Sequence, residues 1–162
     1  DSWFNQTYWT VDGKAQSKLL VFDPKAAYGV KPFPGGARHS RAVFRPGGEG
    51  YSLVASERPN HTKRWSVKVP VRIVAMVVAG PTLFAAGSPD VVVPGDSWAA
   101  MEGRKGAVLW SISTADGRTL AKYPLAHPPV FDGMAAANGR LYVSTTGGQV
   151  VCMGSKNLRA RD

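Results

Sequence analysis

Trp65-Ser-Val-Lys-Val-Pro70 and, further on, Met76-Val-Val-Ala-Gly-Pro-Thr-Leu-Phe-Ala-Ala-Gly87 are answered 58 positions later by Tyr123-Pro-Leu-Ala-His-Pro128 and Met134-Ala-Ala-Ala-Asn-Gly-Arg-Leu-Tyr-Val-Ser-Thr145. No gap is needed across either copy. Pro70/Pro128, Met76/Met134, Ala79/Ala137 and Leu83/Leu141 are identical, and Trp65/Tyr123 and Phe84/Tyr142 keep an aromatic ring. A period of this size marks a modular array in which each unit buries its apolar face against the next.

Outward from the repeat, every segment is short. Strand-length runs are predicted at Ser17 to Phe22, Tyr28 to Val30, Arg41 to Arg45, Tyr51 to Ala55, Arg64 to Val69, Arg72 to Val78 and Thr82 to Ala86. They resume at Val108 to Ser113, Thr119 to Pro124, Gly133 to Ala137, Arg140 to Ser144 and Gln149 to Met153. The 18 Gly and 12 Pro punctuate these runs and leave no long helical period. Asp116-Gly117 and Asn138-Gly139 read as two-residue hairpin turns, since Asn, Asp and Gly tolerate the positive φ such turns need. The fold class is therefore all-β, and strand-hairpin-strand units recurring at this spacing read as β-propeller blades, about three of them, each an antiparallel four-stranded sheet. The chain divides into a looser first blade region, 1–62, a blade with a long loop at 63–105 (loop 87–105), and a blade with the start of the next at 106–162. Three blades cannot close a ring, so the expected partner is the rest of the propeller, whether further sequence or another chain.

The stretch Leu109-Trp-Ser-Ile-Ser-Thr-Ala-Asp-Gly117 followed by Leu120-Ala-Lys-Tyr123, with the Ala-Ala-Asn-Gly-x-Leu-Tyr-Val-Ser run inside Pro128 to Thr145, resembles the repeat of quinoprotein-like β-propellers. Pro129 to Gly139 is similar to the C-terminal propeller segments of large exported proteins of planctomycete-type bacteria. The resemblance is good over 63–153 and looser before. It implies a ring normally of seven or eight blades and a periplasmic or secreted location. For an enzyme of that family it would also imply a quinone in the funnel, a calcium held by Glu, Asn and Asp, and a catalytic Asp. The fold serves enzymes, scaffolds and sensors alike.

Against that, the chain carries no vicinal cysteines and no calcium loop among its acidic residues. Asp132 and Trp110 are the residues that a channel or a stacked ring would use; a turn Asp and an inter-blade aromatic are the plainer readings. His39, His61 and His127 stand far apart without metal-ligand spacing, and no nucleophile elbow, P-loop or dinucleotide fingerprint occurs. No catalytic, cofactor or metal residue is assigned, and no cofactor is expected. Cys152 excludes an internal disulfide, and alternation predicts it buried as a small apolar residue.

The net charge of +9 opens a binder of acidic polysaccharide or nucleic acid as an alternative, but the basic residues are scattered and a solvated surface is the plainer reading. No apolar run is long enough to span a membrane. The start at Asp1, without Met or signal peptide, fits a processed or excised chain. The loop Gly87 to Arg104 has no counterpart in the second copy, where Thr146-Gly-Gly148 makes the turn, and long loops in compact domains carry function. Asp96 or Ser97 is expected to cap a short helix through Met101, with Trp98 anchoring it or exposed to a partner. Trp3, Trp9 and Trp98 are the candidate partner-binding residues. The leading functional expectation is a non-catalytic interaction or scaffold module of an exported bacterial protein. A quinoprotein oxidoreductase with its cofactor site in other blades remains the rival.

Overall fold

The computed structural model describes residues 9–11, 15–17, 19–31 and 51–154; Trp3, His39 and the strand predicted at Arg41 to Arg45 lie outside them. Among these residues are thirteen strands. A short hairpin joins β1 (Trp9–Val11) to β2 (Ala15–Ser17). Sheet I orders β3 (Leu20–Phe22), β4 (Ala26–Lys31), β5 (Tyr51–Glu57) and β6 (Lys63–Val69). Sheet II orders β7 (Val71–Ala79), β8 (Thr82–Pro89), β9 (Ala107–Ser113) and β10 (Thr119–Leu125). Sheet III holds β11 (Pro129–Ala137), β12 (Arg140–Thr145) and β13 (Val150–Gly154). Every pairing is antiparallel between sequence neighbours, which is the meander of a propeller blade.

Sheet II lies between its neighbours, its inner strand β7 touching both β3 and β11. That position explains its composition. Along β8, Leu83 and Ala85 face a core shared with Tyr28, Leu53 and Trp65 of sheet I. On the opposite face, Ala86 joins a second core with Leu141 and Val143 of sheet III. Along β9, Trp110 and Ile112 go to the first core while Ala107 and Leu109 go to the second. Both faces of a middle blade must be apolar, so its strands read as near-continuous hydrophobic runs. Among the described residues, sheet III has only one covered face. Phe131 is 63% exposed and Val150 66% exposed, and the set of blades is open.

The 58-residue repeat corresponds to real equivalence over the inner hairpins. Met76↔Ala85, Val77↔Phe84, Val78↔Leu83 and Ala79↔Thr82 recur as Met134↔Val143, Ala135↔Tyr142, Ala136↔Leu141 and Ala137↔Arg140. Its Trp65/Tyr123 match is corrected. Trp65 faces Ala55 just after a bulge, and the residue facing the corresponding Ser111 after the corresponding bulge is Ala121. The link from Leu125 to Pro129 is two residues longer than the link Val69-Pro70-Val71, which makes the two aromatics coincide in sequence but not in space.

A second repeat, hidden in sequence, relates sheets I and II at an offset of 56, as from Phe22↔Ala27 to Val78↔Leu83. Every pair of sheet I obeys it, through Lys31↔Ser52 and Gly87↔Val108 to Tyr51↔Val69 and Ala107↔Leu125. The turns match as well. Glu57 N–H bonds Thr62 C=O and His61 N–H bonds Glu57 C=O, as Ser113 N–H bonds Arg118 C=O and Gly117 N–H bonds Ser113 C=O. The 56 offset also makes the connection between the second and third strands equally long in both sheets.

Two further expectations are corrected. Asn138-Gly139 is a two-residue turn with both residues at positive φ (52° and 69°), but at Asp116-Gly117 only Gly117 is positive (77°), within a longer Thr114 to Gly117 connection. Cys152 is exposed, because β13 is the edge of sheet III among the described residues.

Candidate functional site

The up-and-down order sorts the connections. The tight hairpins lie at one end of the blades, while the 90–106 connection, the links between sheets and the short 146–149 turn gather at the other. That second end carries the one elaborated loop among the described residues. It leaves β8 through Asp90, whose N–H bonds the Pro70 carbonyl at 3.0 Å. A β-bridge joins Val93 to Asp96. Overlapping turns follow, with Glu102 N–H on the Trp98 carbonyl (2.9 Å) and Arg104 N–H on the Ala99 carbonyl (2.9 Å).

The short helix expected through Met101 is absent; this segment stays as turns. Asp96 uses both carboxylate oxygens to accept from Arg104 Nη2, each at 2.8 Å, and Glu102 accepts from Arg104 Nη1 at 2.6 Å. Arg104 thus ties the two ends of the turn together, though all three groups are exposed and the ion pairs contribute little stability. Ala99 and Ala100 supply the anchor, 3% and 4% exposed. Gly103 presses close to the Pro128 ring in the link to sheet III.

This bracing holds Trp98 outward, 59% exposed, on the same connection as the exposed Val91 and Val92. Of the two readings of Trp98, the alanines anchor the loop and the indole is displayed. Nearby, Tyr51 at the head of β5 is raised above the ordinary tyrosine range by burial, pulled back by the field of Arg72 and pushed up again by Asp90.

Trp9, also a candidate, is 59% exposed on β1, an element separate from the loop that holds Trp98. Trp3 lies outside the described residues. Trp110 is 8% exposed in the core between sheets I and II, with the Lys122 ammonium 4.0 Å from its ring centre, so it packs between blades. Asp132 is exposed in a left-handed conformation (φ 54°) within the irregular part of β11.

Sequence reasoning missed a cleft at the hairpin end of sheet I. It measures about 550 Å³ and is lined by Phe22, Asp23, Pro24, Arg58 and Pro59. The Arg58 guanidinium lies 5.0 Å from the Phe22 ring centre and donates to the Asp23 carbonyl at 3.3 Å. Asp23 accepts from the N–H groups of Lys25 and Ala26 at 2.7 and 2.8 Å and from the Tyr28 hydroxyl at 3.2 Å. Burial pushes its carboxyl up, yet these bonds and the field of Arg64 outweigh it and hold the group below its ordinary value. Arg58 and Phe22 lie far apart in sequence, and Asp23-Pro24 alone signals only a turn.

No protein family matches the sequence, and no curated protein does either. No helix among the described residues is long and apolar enough to cross a membrane.

Proposed function

We propose that this chain is a non-catalytic interaction module, a run of quinoprotein-like propeller blades within an exported assembly. The observation that carries the reading is the β8–β9 connection. Its backbone is braced by Asp96–Arg104 and anchored by Ala99 and Ala100, while Trp98, Val91 and Val92 are turned to solvent. A loop that hides small residues and displays its largest aromatic suits binding, because a rigid indole contributes contact area at low entropic cost. The repeat type and export rest on the likeness of 63–153 to that family.

The test is titration of the chain with pyrroloquinoline quinone and calcium, followed by dye-linked alcohol oxidation, beside binding to heparin at increasing salt. The reading expects no turnover and no tight uptake of either ligand. Quinone-dependent turnover would replace it with the oxidoreductase, and steeply salt-dependent heparin binding would replace it with a polyanion binder.

A further inference from the structure

We draw no further inference here: the strongest candidate, the cleft of Phe22, Asp23, Pro24, Arg58 and Pro59 at the hairpin end of sheet I, is the counterpart of the turn that Trp65 covers on sheet II, and nothing in the structure shows what covers it.

Discussion

The indole of Trp65, on the outer strand of sheet I, donates its Nε1–H across the blade boundary to the carbonyl of Thr114 in sheet II, 3.0 Å away. The same ring packs against the turn that carries that carbonyl, with Gly117 beneath it and Tyr28 at 6.0 Å on its own sheet. One residue thus joins two blades by burial and by a directed bond. Trp65→Phe keeps most of the area and loses the bond, at a cost of about 1 kcal/mol. Trp65→Ala also opens a cavity, for about 3–5 kcal/mol. Urea titration should show both as shifts of midpoint at unchanged slope.

Gly117 tests the same contact from the other side. Its φ is +77°, and a Cβ there would lie 2.8 Å from the Trp65 ring, whereas Gly139 has φ +69° and open space around it. Gly139→Ala carries backbone strain alone, about 1 kcal/mol. Gly117→Ala carries that strain plus displacement of the indole, about 1–3 kcal/mol more. Equal losses in the two variants would mean that the Trp65 contact is slack.

Asp23 gives the hairpin end of sheet I a pH dependence. Its folded pKa is depressed below the unfolded value of about 3.9, so its contribution is complete above that value and is lost as pH falls through the folded pKa. Asp23→Asn should therefore lower stability at neutral pH, and the gap between the two proteins should narrow below about pH 4. Thermal melts at pH 3 and pH 7 measure both arms. A gap that widens in acid would contradict the assignment.

The β8–β9 connection separates display from support. Trp98→Ala removes an exposed ring and should move stability by no more than about 0.5 kcal/mol. Arg104→Ala cuts exposed ion pairs and should cost under about 1 kcal/mol. Ala99→Asp forces a carboxylate into a site 3% exposed and should cost several times more, seen as loss of the folded baseline or a lowered melting temperature.

The all-β class, the hairpin of Asn138-Gly139 and the kinship of sheets II and III were legible because they depend on local chemistry. Positive φ calls for Asn and Gly, and the inner hairpins keep Met76/Met134 and Leu83/Leu141 in the same core positions. The exposed Trp98 was visible as a candidate, but its display depended on Ala99 and Ala100 being the buried residues, which small side chains do not announce.

What the sequence by itself determined was the alternation and the turns, hence the strands and their pairing with immediate neighbours. Only the tertiary structure decided which strands are equivalent and which faces are covered. The kinship of sheets I and II survives in scarcely any identical residues, Val21/Val77 and Leu53/Leu109 among them, because a blade boundary asks its neighbours to fill a volume jointly and not to repeat a residue. Cys152 likewise has an apolar alternating setting, yet lies exposed because no strand of the same chain is described beside β13. Alternation assigns a side chain to a face; burial depends on what is packed against it.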